Sequence, residues 1–339
     1  MSGLGDAGLE SGGVGIIPAK KMKIALLDDY LGLATHLVDW SGVGDRATLD
    51  TVSHPLTSIE AAAEALAEYD ILVTLRERTA FPAALLERLP RLRYLCVTGK
   101  RYDTVDVAAA AKYGVIVSNT PVSGAGAGAV TELTWGLILA LVRNIAHEDR
   151  HMRQGGWQQG AGNTLRSKTL GIVGLGGLGR EIAQLGQAFG MQVQAWSPNL
   201  TEARAAQSGA RLVSKQQLFA TSDVVSLHLV LGPTTAGIVD KAAIDAMQPT
   251  AWLVNTARAG LVDDAALLDA LRNYRIRGAG LDVYAIEPLP REHVLRTLTN
   301  VVLTPHLGYF TEEMLSAYYR YALENIEAFL NGKPIRVVS

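Results

Sequence analysis

Short apolar segments alternate with longer amphipathic segments along most of this chain. Runs bounded by Gly, Pro or acidic residues predict buried strands, and segments with helical periodicity predict the helices between them. In the first part, the pattern predicts strands at 24–27, 71–75, 94–97 and 115–117 and helices at 59–69, 82–89 and 105–113. Alternation of this kind is typical of a parallel sheet covered by helices on both faces.

A second alternating series begins near residue 170. Strands are predicted near 170–174, 192–196, 224–228, 251–255, 278–282 and 300–303, and a final helix is predicted over 311–330. Six strands are the count of a dinucleotide-binding domain. We therefore predict an α/β protein with two doubly wound parallel-sheet domains.

The segments outside the two series have their own composition. Residues 1–20 are rich in Gly and Ser and lack the apolar core of a signal peptide, so we expect a disordered arm. Residues 119–128 are typical of a linker. One long helix is predicted over 129–152, and its first half is apolar on nearly every face, which favours burial between domains, contact with a second copy in a homodimer, or both. Val337 and Val338 are expected to return to the first domain.

Charge and cysteine content exclude several classes of protein. There are 31 basic and 33 acidic residues, a net charge of −2, so we expect no nucleic-acid partner and no anionic membrane surface. The longest apolar stretch, 133–142, is too short to span a bilayer. The single cysteine, Cys96, excludes an internal disulfide and the usual zinc clusters, so we expect a buried structural thiol, no metal and a cytoplasmic location.

The strand predicted at 170–173 leads into glycines at the spacing G-x-G-x-x-G, which are Gly174, Gly176 and Gly179. In a strand–turn–helix, such glycines permit a tight turn, close approach of the backbone to a diphosphate, and close helix packing. The free N–H groups of the following helix, which begins near Gly177 and Leu178, then hold the diphosphate. An ordinary packing turn has similar glycines, but the flanking strand and helix favour dinucleotide binding.

The residue after the next strand departs from this fingerprint. An acidic residue is expected there to bind the adenosine ribose, but the strand ending at Trp196 continues with Ser197. Loss of the carboxylate removes the repulsion that rejects a 2′-phosphate. No Arg or Lys replaces it directly, because Arg204 comes later, in the next helical segment. NAD is the expected cofactor, and NADP stays open.

Polar residues follow three later strands, at the edge where parallel strands present their carboxyl ends to a ligand. They are Arg258, Asp282 with Glu287, and His306. Each alone fits a surface charge or a loop residue. Together they suit a dehydrogenase: His is a proton donor near neutrality, a carboxylate orients it and favours imidazolium, and Arg binds a substrate carboxylate. We expect these side chains to converge.

Four motifs in order resemble the D-isomer-specific 2-hydroxyacid dehydrogenases. They are the glycine turn at 174–179, Asn-Thr-Ala-Arg-Ala-Gly-Leu-Val-Asp at 255–263, Gly-Leu-Asp-Val-Tyr-Ala-Ile-Glu-Pro at 280–288 and Thr-Pro-His-Leu-Gly at 304–308. The resemblance implies a Rossmann NAD-binding domain, 121–307, inserted in a flavodoxin-like substrate domain formed by 21–120 and 308–339. It also implies hydride transfer between NAD(H) and C2 of a D-2-hydroxy or 2-keto acid, with 3-phosphoglycerate as one candidate substrate.

The resemblance also implies roles for individual residues. His306 is the acid/base, Glu287 its partner and Arg258 the carboxylate anchor. Asp282 is expected to hold the nicotinamide amide, and Thr256 to contact the cofactor. Arg76 and the backbone N–H groups of Thr98, Gly99 and Lys100 are expected to bind substrate.

Two questions stay open from the sequence. Arg101 stands where the family's substrate loop has a second glycine, which raises the hypothesis that Lys100 or Arg101 meets a second anionic group such as phosphate. The scaffold also appears in corepressors, so an NAD-sensing interaction protein is the alternative to an enzyme. A formate dehydrogenase is disfavoured, because such members usually carry Gln where Glu287 stands.

Overall fold

The computed structural model describes residues 21–121 and 128–338. The chain divides into two compact units, one comprising residues up to Thr120 together with the segment from Tyr321, the other Pro121–Arg320. The arm predicted for 1–20 and most of the linker predicted for 119–128 lie outside the described residues. The second boundary falls inside the last helix, whereas the sequence places it near residue 308.

The first unit alternates strands and helices. Its elements are β1 (Met22–Leu27), α1 (Leu33–Leu37), β2 (Ala47–Val52), α2 (Ile59–Leu66), β3 (Ile71–Thr74), α3 (Ala83–Leu86), β4 (Tyr94–Val97), α4 (Val107–Lys112) and β5 (Ile116–Asn119). The sheet is parallel with the order β2-β1-β3-β4-β5, which is the flavodoxin-like order. The sequence pattern missed β2, because this edge strand is largely exposed and carries no continuous apolar run.

The second unit contains a larger parallel sheet. Its elements are α5 (Ala129–Val142), α6 (Ile145–Arg153), β6 (Thr169–Val173), α7 (Gly177–Ala188), β7 (Gln192–Trp196), α8 (Glu202–Ala206), β8 (Arg211–Leu212), α9 (Lys215–Thr221), β9 (Val224–Leu227), α10 (Lys241–Asp245), β10 (Trp252–Asn255), α11 (Asp264–Arg272), β11 (Gly278–Leu281), β12 (Val301–Leu303) and α12 (Glu312–Leu330), whose last turns belong to the first unit. The sheet order is β12-β11-β10-β9-β6-β7-β8. The chain reverses direction across the sheet between β6 and β9, and such a switch point is where doubly wound folds bind ligands.

The apolar core of this unit lies on both faces of the sheet. Ile138 and Ile182, from α5 and α7, pack with Ile172 on one face. Phe219 and Leu267, from α9 and α11, belong to the cluster on the other face. Because strands of such a sheet are covered on both sides, they read as continuous apolar runs rather than alternating ones.

The single helix predicted over 129–152 is wrong. The structure has two helices, α5 and α6, whose axes differ by 66°. Asn144 between them has φ +55°, a left-handed conformation that Asn adopts more readily than most residues and that ends a helix. In the part of the chain that the structure describes, no single helix is long and apolar enough to cross a bilayer, although the bent pair meets that length and composition when taken together.

The end of the chain contributes to the first unit. In α12, Phe329 stacks on Tyr94 with ring centroids 4.5 Å apart, and Asn325 Nδ2 donates to the Asn119 carbonyl at 3.0 Å. The Val338 N–H donates to the Val117 carbonyl at 2.9 Å, which confirms the predicted return of the terminal segment. These contacts explain why the last turns of α12 belong to this unit.

Cys96 lies on β4 of the same sheet, between β3 and β5, and is fully buried. Burial raises the pKa of its thiol to about 12. Because the thiolate is the reactive form, this cysteine is inert at neutral pH, which confirms the prediction of a structural thiol.

Candidate active site

The glycine turn between β6 and α7 is shaped by close backbone contacts. Gly174 has φ +101°, and a Cβ there would come within 2.8 Å of the His228 carbonyl. A Cβ on Gly179 would lie 2.1 Å from the Gly174 carbonyl oxygen. By contrast, a Cβ on Gly176 or Gly177 would meet nothing within 4 Å. The turn is therefore tightly packed on its inner side and open where a ligand would approach.

The open side of the turn suits a diphosphate. Gly176 is the N-cap residue of α7, and the N–H groups of Gly177, Leu178 and Gly179 have no acceptor within the helix. No acidic side chain lies in the first turn of α7. The residues present therefore fit the diphosphate of a dinucleotide, which a helix N-terminus stabilises through these donors and its dipole.

Two further predicted cofactor residues follow strands of the same sheet. Ser197 follows β7 directly and is half-buried; the register pairs Val173 with Trp196, so Ser197 emerges beside Gly174. Thr256 follows β10 and is buried, with its hydroxyl 2.8 Å from that of Thr134. Since the Thr134 hydroxyl donates to a carbonyl of its own helix, Thr256 donates to Thr134.

The predicted catalytic residues come from three adjacent strands. β10, β11 and β12 are neighbours, with Asn255 paired to Leu281 and Leu281 paired to Leu303. Arg258, Glu287 and His306 follow these strand ends in the same order. Their loops therefore emerge side by side from the carboxyl edge of the sheet.

The structure brings Glu287 and His306 together, as the sequence predicted. Glu287 Oε2 lies 2.6 Å from His306 Nδ1, and Glu287 Oε1 accepts the N–H of Tyr284 at 2.9 Å. Both side chains are partly buried, with 32% and 24% of their surface exposed. His306 has φ +56°, and its ring meets the edge of Tyr309 with centroids 5.7 Å apart. The imidazole is thus fixed through Nδ1, which leaves Nε2 as the nitrogen able to serve a substrate.

Tyr284 is a supporting residue that the sequence pattern did not reveal. Its hydroxyl lies 2.9 Å from both the Leu281 and the Thr304 carbonyl oxygens, and so links the ends of β11 and β12. Burial raises the pKa of Tyr284, which keeps the hydroxyl a donor. Tyr284 and Thr304 are 20 residues apart, so the pattern of neighbouring residues cannot predict that the hydroxyl of one reaches the carbonyl of the other.

Asp282 has a different environment from the one expected. Its side chain is fully buried, and its oxygens accept the Thr304 hydroxyl at 2.6 Å, the Leu307 N–H at 2.7 Å and the Gly308 N–H at 3.0 Å. Burial raises the pKa of this carboxyl, and these hydrogen bonds oppose the rise. Asp282 therefore anchors the loop that carries His306, and its contact with a nicotinamide amide stays a prediction.

Arg258 is half-buried in a loop that Asn255 shapes. Asn255 Nδ2 donates to the Arg258 carbonyl at 2.9 Å, and Asn255 Oδ1 accepts the Ala257 N–H at 3.0 Å. One guanidinium nitrogen of Arg258 donates to the Ala257 carbonyl at 2.8 Å. The side chain therefore follows its own loop, at the carboxyl edge of the sheet.

The predicted substrate residues belong to the first unit. Arg76 has φ +60°, its N–H donates to the Thr98 hydroxyl at 2.8 Å, and its guanidinium lies across Gly99, where a Cβ would come within 1.9 Å of Nη1. The Thr98 N–H donates to the Thr74 carbonyl at 3.3 Å, and the Gly99 N–H donates to the Thr120 hydroxyl at 2.7 Å. The expectation that all three N–H groups of 98–100 await a carboxylate is therefore corrected, because two already have acceptors.

The two basic side chains of this loop differ. Arg101 Nε donates to the Asp103 carboxylate at 2.8 Å, and Nη2 binds the same oxygen, so its charge is compensated locally. Lys100 is exposed, and within residues 21–121 and 128–338 the structure gives it no ion pair. Of the two hypothetical anion contacts, the environment favours Lys100.

His228, at the end of β9, is a second residue that sequence reasoning did not single out. Its Nε2 lies 2.8 Å from the Ser226 hydroxyl, and its Nδ1 is shielded from solvent with no hydrogen-bond partner among the described residues. Burial lowers the pKa of this imidazole to about 3, so it is neutral at physiological pH. Its backbone carbonyl lies beside Gly174, in the turn between β6 and α7.

The described residues contain no cluster of three or more His, Cys, Asp or Glu side chains suited to hold a metal ion. A glycine turn at the switch point of a parallel sheet defines a dinucleotide-binding fold, and a histidine–carboxylate pair lies at the same edge of the sheet. Comparison with known proteins gives the family.

Residues 135–308 match the family described as D-isomer specific 2-hydroxyacid dehydrogenase, NAD binding domain. D-3-phosphoglycerate dehydrogenase of Mycobacterium tuberculosis is 37% identical over 314 residues, which are 92% of this chain and 58% of that protein. Glyoxylate reductase of Aeropyrum pernix is 38% identical over 74% of this chain and 76% of its own length. The crystal structure of phosphoglycerate oxidoreductase from Vibrio cholerae is 37% identical, with a TM-score of 0.86 over 92% of this chain and 99% of that one.

The chain belongs to the D-isomer specific 2-hydroxyacid dehydrogenase family. Three predictions are thereby confirmed: the family resemblance inferred from the four motifs, the α/β fold with two parallel sheets, and the presence of a domain that binds a nicotinamide cofactor. The chain spans little more than half the length of the mycobacterial relative that it matches.

Proposed function

We propose that this protein transfers a hydride between a nicotinamide cofactor and C2 of a D-2-hydroxy acid or the corresponding 2-keto acid. The observation that carries the proposal is the His306–Glu287 pair, with 2.6 Å between Nδ1 and Oε2, at the sheet edge that also holds Arg258. The open glycine turn at Gly176 and Gly177 supports cofactor binding at that edge.

The side chains suit acid–base chemistry at a carbonyl. When bound, the cofactor supplies the hydride in reduction and accepts it in oxidation. His306 Nε2 donates a proton to the developing alkoxide in reduction and accepts the hydroxyl proton in oxidation. Glu287 holds Nδ1 and stabilises the positive charge of the imidazolium. Arg258 binds the substrate carboxylate, for which a planar guanidinium is matched.

The substrate is proposed to be a small 2-keto acid with a second anionic or polar group, with 3-phosphoglycerate one candidate for the oxidative direction. Arg76, held across Gly99, and exposed Lys100 support recognition of anionic groups in the first unit. The relatives are named for both phosphorylated and unphosphorylated acids, because one is a phosphoglycerate dehydrogenase and another a glyoxylate reductase.

A panel of 2-keto acids tests the proposal. Glyoxylate, hydroxypyruvate, pyruvate and 3-phosphohydroxypyruvate are assayed with NADH and with NADPH, and oxidation of the cofactor is followed at 340 nm. Steady turnover with at least one acid, abolished in His306→Ala, supports a dehydrogenase. Binding of cofactor without turnover of any acid would instead favour the cofactor-sensing interaction protein.

A homodimer in the cytoplasm completes the proposal. Most apolar residues of α5 are buried within their own unit, whereas Ile145, Met152 and Trp157 are 53%, 49% and 69% exposed. We therefore propose that the two copies of the chain contact each other through α6 and the segment after it, rather than through the apolar half of α5. Light scattering of Ile145→Asp/Trp157→Asp should give a monomer mass, while Tyr274→Asp, at an equally exposed aromatic, should leave the dimer intact.

A further inference from the structure

The loop after β7 determines what the adenosine end of a dinucleotide meets. Ser197 emerges beside Gly174, since Trp196 pairs with Val173 in the last register position of β7. An acidic residue at this position accepts hydrogen bonds from the ribose hydroxyls and repels a 2′-phosphate. Ser197 is uncharged, so this repulsion is absent.

The tertiary structure brings a cation to the same loop. Arg204 lies on α8, seven positions after Ser197, but its Nη1 donates to the Asn199 carbonyl at 3.3 Å. The loop is closed by the Leu200 N–H, which donates to the Ser197 carbonyl at 3.1 Å. The guanidinium is therefore folded back over the segment that follows β7, whereas the sequence alone places it in the next helix.

The remaining donors of Arg204 are available for a ligand. A guanidinium has five N–H groups, and among the described residues one hydrogen bond of this side chain is formed, with no ion pair to a carboxylate. The side chain is exposed. Hydroxyl groups of Ser197 and Thr201 belong to the same loop, and the Thr201 hydroxyl caps α8 by accepting the Arg204 N–H at 3.4 Å.

We propose that Ser197, Thr201 and Arg204 form a site for the 2′-phosphate of NADP(H), so that this protein prefers NADPH to NADH. The proposal rests on the proposed use of a nicotinamide cofactor and specifies its class. A planar guanidinium pairs with phosphate through two parallel hydrogen bonds. No carboxylate stands directly after β7, and the first acidic residue beyond it is Glu202, in the first turn of α8. This preference is opposite to the NAD expected from the glycine motif.

The test measures binding rather than turnover. NADPH, NADH and adenosine 2′,5′-bisphosphate are titrated calorimetrically into the full chain. We expect NADPH to bind at least about tenfold more tightly than NADH, and Arg204→Ala to weaken NADPH and the bisphosphate about 10- to 100-fold, as for the loss of a charged hydrogen bond. NADH affinity should change less than about twofold. Ser197→Asp should also weaken NADPH, by restoring the repulsive charge.

The control is Arg272→Ala, which removes an exposed arginine from the last turn of α11 and should change neither affinity. Melting temperatures equal to that of the wild type show that each variant is folded, and Arg204→Gln replaces Arg204→Ala if the latter unfolds. Equal affinity of the wild type for NADH and NADPH would overturn the proposal. An equal loss of affinity for the two dinucleotides in Arg204→Ala would also overturn it. Failure to bind either dinucleotide would overturn the proposed function together with it.

Discussion

His306 Nδ1 lies 2.6 Å from Glu287 Oε2, and the second carboxylate oxygen of Glu287 accepts the N–H of Tyr284. A single carboxylate thus connects the histidine to the loop after β11. His306→Ala is expected to lower kcat at least about 100-fold, as for a lost general acid. Glu287→Gln should lower kcat less, because the amide keeps the shape but not the charge.

Stopped-flow reduction of the preferred keto acid measures both effects. Glu292→Gln, at an exposed carboxylate of the same segment, serves as the matched control and should retain full activity. Near-normal turnover in His306→Ala would show that another group transfers the proton.

Arg258→Lys should raise KM at least about tenfold, because an ammonium cannot make the paired contacts of a guanidinium with a carboxylate. Steady-state kinetics measure the change. Arg272→Lys, the same substitution at an exposed helix position, should have no effect. An unchanged KM for Arg258→Lys would assign the substrate carboxylate to a different residue.

Tyr284→Phe removes the hydroxyl that links the Leu281 and Thr304 carbonyls. We expect a loss of about 1–2 kcal/mol in the free energy of unfolding, since a buried hydrogen bond is lost without a replacement. A moderate fall in kcat should accompany it, because the loops carrying Glu287 and His306 lose their connection. Urea denaturation measures the first effect, and Tyr274→Phe, at an exposed tyrosine, should leave both quantities unchanged.

Gly179→Ala should weaken dinucleotide binding and reduce stability by about 1–3 kcal/mol, because its Cβ would lie 2.1 Å from the Gly174 carbonyl oxygen. Gly136→Ala is the informative contrast. Gly136 lies within α5 with nothing within 4 Å of a Cβ, so alanine there should stabilise the helix by about 0.5–1 kcal/mol. Thermal unfolding with and without cofactor measures the stability and the cofactor binding of both variants. A Gly179→Ala variant that is as stable as the wild type and binds cofactor normally would contradict the close packing of Gly179 against Gly174.

The buried histidine His228 is expected to make the free energy of unfolding depend on pH below about 6.5. Burial lowers the pKa of this imidazole to about 3 in the folded protein, whereas an unfolded histidine titrates near 6.5. Between these values the unfolded chain binds a proton that the folded chain rejects, so stability is present above pH 6.5 and is lost as pH falls toward 3.

His228→Gln should flatten this part of the stability curve, measured as the free energy of unfolding from pH 7 to pH 4. His36→Gln removes an exposed histidine and should leave the slope as in the wild type. An unchanged slope in His228→Gln would mean that the ring is protonated in the folded state.

The sequence alone determined the parts of this protein that depend on local pattern. Apolar runs bounded by turn residues identified β4 and β6 because strands buried on both faces are continuously apolar. The glycine spacing identified the turn at 174–179, because only glycine tolerates the backbone approaches at Gly174 and Gly179. Residues after strand ends identified Glu287 and His306, since parallel strands deliver their following loops to one edge.

The tertiary structure decided what depends on contacts between distant residues. It divided the helix predicted over 129–152, because Asn144 takes a left-handed conformation that neighbouring apolar residues do not reveal. It buried Asp282 beneath the His306 loop and returned Arg204 to the loop after β7. A side chain's charge can be read from sequence, but its partners and its exposure are set by packing between segments, and those decide its role.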